Sequence, residues 1–154
     1  MPLVSFYQHP VLLVLVSVVV GLIIGSFLNV VIHRLPKMLE RQWRAECAEL
    51  AGTPLATAER YDLVAPRSAC PKCGNMIAAV HNIPLVSYLV LRGKCARRRE
   101  PISPRYPVVE ALSGALAGYI AWRYGVSYAL FGALIFTWAM IALTFIDLDT
   151  FYLP

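Results

Sequence analysis

No lysine or arginine precedes Arg34, and residues 11–32 carry no charge of either sign. A secretory signal peptide needs basic residues ahead of its apolar run, and here Arg34 and Lys37 follow it instead, so the run is expected to remain as an uncleaved membrane helix. At about 1.5 Å per residue it is long enough to cross roughly 30 Å of hydrocarbon. Charge is thin throughout, 15% of the chain against 58% hydrophobic residues with a mean hydropathy of +0.62, which excludes an ordinary soluble domain of this length. Acids are scarcer than bases, nine against fourteen, leaving a formal charge of +5. Such a surplus suits nucleic acid or an anionic surface, and its distribution decides between them. Every lysine and arginine except Arg123 lies between Arg34 and Arg105, the asymmetry of a cytoplasmic loop flanked by membrane spans. There is no interleaved aromatic platform for bases, so the expected partner is the lipid bilayer and no nucleic acid.

The expected fold class is an all-α integral membrane protein with about three transmembrane helices. Residues 1–10 form an external N-terminus, 11–32 the first span, 33–106 a cytoplasmic loop domain, 107–123 the second span, 128–146 the third, and 147–154 the start of a further region. Within the loop, residues 37–50 read as a separate helix, interfacial or packed on the loop domain, in which Cys47 is another candidate metal ligand, with a buried, inert thiol as the reading its helical surroundings favour. Gly52 and Pro54 end that helix, and Pro66, Pro71, Pro84, Pro101, Pro104 and Pro107 exclude long helices after it. Gly21 and Gly25 are four apart, as are Gly114 and Gly118, a small-residue spacing that lets membrane helices pack closely. Glu110 at the start of the second span has three readings: an ion pair with Arg105, a snorkelling side chain, or the lining of a site.

Only four cysteines are present, and Cys70, Cys73 and Cys95 share the part of the basic segment that follows the helix of residues 37–50. Cys70-Pro71-Lys72-Cys73-Gly74 has the spacing of a zinc knuckle, two thiolates chelating one ion. The other half is incomplete: Cys95 is there, and Arg98 stands where a fourth cysteine would be. His81 lies between the halves and would complete a three-cysteine, one-histidine set that zinc accepts. The alternative is a metal-free loop with free thiols in a reducing cytosol. Arg97, Arg98 and Arg99 then serve as charge against anionic lipid.

Asp147 and Asp149 close the third apolar run. Two residues correspond to about 200° of helix rotation, so the two carboxylates point apart and cannot share one proton. Acid/base chemistry of the aspartic-protease kind needs a second carboxyl group from another element. The plain alternative for both acids is a solvated turn at the membrane interface, which is the reading preferred for Asp149.

Several segments taken together carry a resemblance. Gly25-Ser26-Phe27-Leu28-Asn29-Val30-Val31-Ile32-His33-Arg34-Leu35-Pro36, Cys70-Pro71-Lys72-Cys73, Asn82-Ile83-Pro84-Leu85-Val86-Ser87-Tyr88, Gly93-Lys94-Cys95, Ile102-Ser103-Pro104-Arg105-Tyr106-Pro107-Val108-Val109-Glu110 and Phe145-Ile146-Asp147-Leu148-Asp149 resemble the bacterial type IV prepilin peptidases, in order and along the whole chain. The resemblance implies an aspartic endopeptidase of the bacterial inner (plasma) membrane that removes the basic leader of prepilins and pseudopilins at the cytoplasmic face. It also implies N-methylation of the new terminus with S-adenosylmethionine in many members. It maps the first catalytic aspartate, in an Ile-Asp motif, onto Asp147. The second belongs to a Gly-x-Gly-Asp motif in the C-terminal half of such proteins, and that motif does not occur in these 154 residues. Two expectations follow: a chain that supplies one aspartate and needs a missing C-terminal half, or a truncated, non-catalytic membrane module, one half of a split enzyme among its forms.

Overall fold

The computed structural model describes residues 10–53, 61–64, 88 and 102–151, and among these every regular element is helical. Three helices carry the architecture: α1 Pro10–Leu50, α2 Arg105–Tyr124 and α3 Tyr128–Thr150. Helix α1 is a single element of 41 residues, where a span followed by a separate helix was expected. At about 1.5 Å per residue it is roughly 60 Å long, about twice the thickness of a bilayer's hydrocarbon layer.

Pro36 lies inside α1 and removes one backbone donor, yet the helix continues past it. Beyond Pro36 the sequence is dominated by strong helix formers, Met, Leu, Glu, Arg, Gln and Ala. Arg44 pairs with Glu40 at 2.5 Å and Gln42 donates to Glu46 at 2.9 Å, both one turn apart. Gly52, at φ +67°, allows the Thr53 amide to reach back to the Ala48 carbonyl at 3.0 Å and close the end. Cys47 is exposed on this extension, which corrects the expectation of a buried thiol. Among the described residues no other helix covers the extension there, and residues 41–47 are exposed without interruption.

Helices α2 and α3 form a hairpin. Gly125, with φ +56°, ends α2 by donating its amide to the Ala121 carbonyl at 3.0 Å, and the Ser127 hydroxyl caps α3 by accepting from the Leu130 amide at 3.3 Å. Two apolar clusters then fix the helix directions. Ile120, Ala121 and Leu130 pack with Leu13 and Val14 at one end of the bundle. Leu28, Ile32, Val109, Ile141, Ala142 and Ile146 form the other cluster. The start of α1 therefore lies beside the end of α2 and the start of α3, so α1 and α3 run parallel and α2 runs against both.

The closest packing is between α1 and α2, at the two glycine pairs. A Cβ built on Gly21 would sit 2.7 Å from the Ser113 carbonyl oxygen, and one on Gly25 would sit 2.8 Å from the Glu110 Cα. Gly114 faces Leu22, and Gly118 faces Val18. Ser113, fully buried, donates its hydroxyl to the Gly21 carbonyl at 2.6 Å. The spacing seen in sequence thus serves backbone approach. Helices α1 and α3 are long and apolar enough to cross a membrane. Helix α2 is 20 residues long but less apolar, because its buried face is Glu110, Ser113, Gly114, Ala117 and Gly118, small or polar groups chosen by contact with α1.

Candidate active site

The apolar cluster around Ile146 brings the last turn of α3 to the first turn of α2 and to the stretch of α1 that ends at Leu35. Asp147 and Asp149 thereby share one end of the bundle with Arg34 and Arg105. The charges that sequence parity places on one side of a membrane are adjacent in the fold.

Helix α3 does not fray before the acids. It continues to Thr150, whose hydroxyl donates to the Ile146 carbonyl at 2.9 Å. Phe151, in the left-handed region at φ +54°, then ends the helix by donating its amide to the Asp147 carbonyl at 2.8 Å. A non-glycine residue in that conformation costs about 1 kcal/mol, which the terminating hydrogen bond helps to offset. Both aspartates are therefore held on a regular helical turn, on different sides of it.

Their surroundings differ. Arg105 pairs through Nη1 with Asp149 Oδ1 and donates from Nη2 to the Phe145 carbonyl at 2.6 Å. Its guanidinium carbon lies 5.1 Å from the centre of the Phe145 ring. A cation at this position also complements the negative end of the α3 dipole. Asp147 is exposed, and no hydrogen bond or ion pair engages its carboxylate among the described residues. The ion pair proposed for Glu110 with Arg105 is not formed, since Arg105 is turned toward α3. Glu110 is buried on the face of α2 that meets Gly25.

The α1 side of this end is built around Arg34. It is buried, donates to the Asp62 carbonyl at 2.8 Å, and lies 5.9 Å from the Tyr61 ring centre, while Arg41 approaches the same ring to 4.1 Å. Asp62 in turn accepts the Val64 amide at 2.7 Å, forming a local turn. Asn29 ties α1 to the start of α2 by donating to the Tyr106 carbonyl at 3.0 Å. Next to Arg34, His33 has a pKa lowered from 6.5, first by burial of part of its ring and then by the charges of Lys37 and Arg34. The Lys37 ammonium lies 3.0 Å from its Nε2, the contact of a neutral imidazole accepting from a lysine.

Cys70, Cys73, Cys95, His81 and Arg98 lie outside the described residues. Among the described residues no group of three or more His, Cys, Asp or Glu side chains is placed to hold a metal. The Arg105 to Asp149 pair was not read from the sequence, although a signal for it existed. Antiparallel helices joined by a short turn place residues equally far from that turn side by side, and Arg105 and Asp149 are nearly equidistant from Val126. The burial of Arg34 and its contact with residues 61–62 had no such signal.

The model of the bacterial peptidase A24 N-terminal domain matches residues 19–124. The chain belongs to that family. The chain is 47% identical to a prepilin leader peptidase/N-methyltransferase of Pseudomonas aeruginosa over 156 residues, covering 100% of the chain and 54% of the relative. It is 52% identical over 140 residues to the protein of the same name from Neisseria gonorrhoeae, covering 90% of the chain and 49% of the relative. With that of Burkholderia pseudomallei (strain 1026b) the identity is 46% over 157 residues, 99% of the chain and 51% of the relative. The chain spans about half the length of these curated relatives. No solved structure matches it.

Proposed function

We propose that this chain supplies one of the two carboxylates of a prepilin leader peptidase, and that the residue is Asp147, beyond the segment matched by the A24 N-terminal domain. The observation that carries the reading is the contrast at the end of α3: both acids are exposed, but Asp149 is taken up by Arg105, while Asp147 is without a partner among the described residues. A carboxylate that accepts a proton from water must be reachable and not consumed by an ion pair. The partner carboxyl would come from outside these 154 residues, polarise the scissile carbonyl in its protonated form, and later give its proton to the leaving amine.

In this reading the protein is a multi-pass protein of the bacterial inner membrane, with α2 as a third span between α1 and α3. The exposed aromatics Tyr119, Trp122, Tyr124 and Tyr128 gather where α2 turns into α3 and suit one membrane interface. From Tyr128, at about 1.5 Å per residue, α3 reaches Asp147 after roughly 28 Å, near the opposite interface. The basic residues at that end favour its cytoplasmic placement. The substrate is a prepilin or pseudopilin with a basic leader.

Zinc in the loop rests on the donor set of the sequence, three thiolates from Cys70, Cys73 and Cys95 with the His81 imidazole, which together form a set zinc accepts. Its role would be to fold the loop, and the cleavage chemistry does not depend on it. S-adenosylmethionine would serve the methyl transfer named in the relatives, and no residue of this chain is assigned to it.

The test is processing of prepilin in cells in which Asp147→Asn or Asp149→Asn has been introduced at the gene's chromosomal locus and no other prepilin peptidase gene is present. Mature pilin should disappear with the first substitution and persist at a reduced level with the second. Persistence with Asp147→Asn and loss with Asp149→Asn would reverse the assignment.

A further inference from the structure

Asp147 and Asp149 occupy the last turn of α3, about 200° apart around its axis, and both sit at the negative end of its dipole. Left uncompensated, the two acids would repel each other and would compete for the same water and the same cationic substrate groups. The cation at this turn is Arg105, and it comes from the neighbouring helix. Its guanidinium makes three separate contacts: the Asp149 carboxylate, the Phe145 carbonyl and the Phe145 ring. A planar fork can serve a side chain and a backbone carbonyl together, which the point charge of a lysine does less well.

The α2 end of this contact is itself anchored. Tyr106, next to Arg105, gives its carbonyl to Asn29 of α1, and Val109, one turn on, is fully buried in the cluster that contains Ile146. The guanidinium is thus delivered from a fixed base to the turn that carries the acids. Its hold on the Phe145 carbonyl bears on the backbone one half-turn before Asp147.

We infer that Arg105 is a positioning residue for the Asp147 carboxylate: by occupying Asp149 and pinning the Phe145 carbonyl, it leaves Asp147 as the acid presented at the bundle end. The inference rests on the reading of Asp147 as the reacting group, and its test separates the two. The arginine acts through α3 and touches no reacting atom.

The first arm needs no variant. The chain, purified in detergent, is treated with a water-soluble carbodiimide and an amine, and labelled carboxyls are located by mass spectrometry. Asp147 should label at least about five times more than Asp149, since a guanidinium-paired carboxylate is both shielded and kept ionised. Arg105→Gln should bring the two to equal labelling, with Arg105→Lys between. Equal labelling in the unsubstituted chain overturns the inference.

The second arm measures leader cleavage of a purified prepilin by membranes from cells carrying each substitution at the chromosomal locus. Arg105→Gln should lower kcat about tenfold or more with KM little changed, the signature of a misplaced group. Adding Asp149→Asn to Arg105→Gln should recover part of that loss, because the competing anion is gone; a merely structural arginine gives no such recovery. A wild-type rate for Arg105→Gln, or no recovery in the double variant, overturns the positioning role. Undiminished cleavage with Asp147→Asn instead removes the catalytic reading, and the labelling arm still decides what Arg105 does.

Discussion

Ser113 on α2 donates its hydroxyl to the carbonyl of Gly21 on α1 at 2.6 Å, in a contact where Gly21 presents no side chain and meets Ala117, the Ser113 carbonyl and Gly114. In hydrocarbon there is no hydrophobic gain from bringing two apolar helices together, so close backbone packing and such hydrogen bonds carry the association. Gly21→Val would force a branched side chain against the Ser113 backbone and should weaken the α1 to α2 contact by about 1–3 kcal/mol. Ser113→Ala should cost less, about 0.6 kcal/mol, the usual size of one such bond in a membrane protein. Unfolding in mixed detergent measures both, and a valine variant as stable as wild type would contradict the packing.

Arg34 is expected to hold residues 61–64 on α1. Arg34→Gln removes the charge that donates to the Asp62 carbonyl and faces Tyr61, an interaction of about 1.5–3 kcal/mol for a charged donor. Amide exchange at Val64, whose N–H is held by Asp62, should then speed up by roughly tenfold or more. Unchanged protection at Val64 would show that the local turn stands without the arginine.

His33 gives a pH dependence with a defined sign. Its pKa is lowered in the fold from 6.5, so the unfolded chain takes up the proton first on acidification. The contribution is therefore fully present above pH 6.5 and is lost as pH falls through the lower folded value. The residue is exposed overall, so the stability effect is small and the titration itself is the better readout. Its imidazole resonances should show a midpoint below 6.5, and Lys37→Gln should raise it. A midpoint at or above 6.5 would contradict the Lys37 and Arg34 surroundings.

Zinc in the loop is checked by metal analysis of the purified chain. About one zinc per chain is expected, lost on Cys70→Ser or Cys73→Ser. Less than one zinc for every several chains would remove the knuckle.

The residues explain how far the sequence could be read. Gly21 with Gly25, and Gly114 with Gly118, announce a close helix contact because the spacing alone puts each pair on one face, and the structure sets those faces together. The helical pattern, and the sharing of one end by Arg34 and Asp147, follow from charge-free runs and parity of crossings. What resisted reading depends on rotation and register between helices. Arg105 lies one and a half turns from Glu110 in sequence and forty-four residues from Asp149, yet the hairpin selects the distant acid. Pro36 suggests a helix boundary, and the strong helix formers after it override the lost donor. Cys47 looks like a core thiol by type, yet it is exposed on the α1 extension, where no other helix among the described residues packs.

The central claim is that Asp147, and not its neighbour, is the reacting carboxylate, and single-turnover leader release tests it most directly. With membranes from cells carrying Asp147→Asn at the chromosomal locus and a purified prepilin, the rate should fall on the order of 10³-fold or more, while Asp149→Asn keeps the rate within about tenfold of wild type. A rate within tenfold of wild type for Asp147→Asn would contradict it.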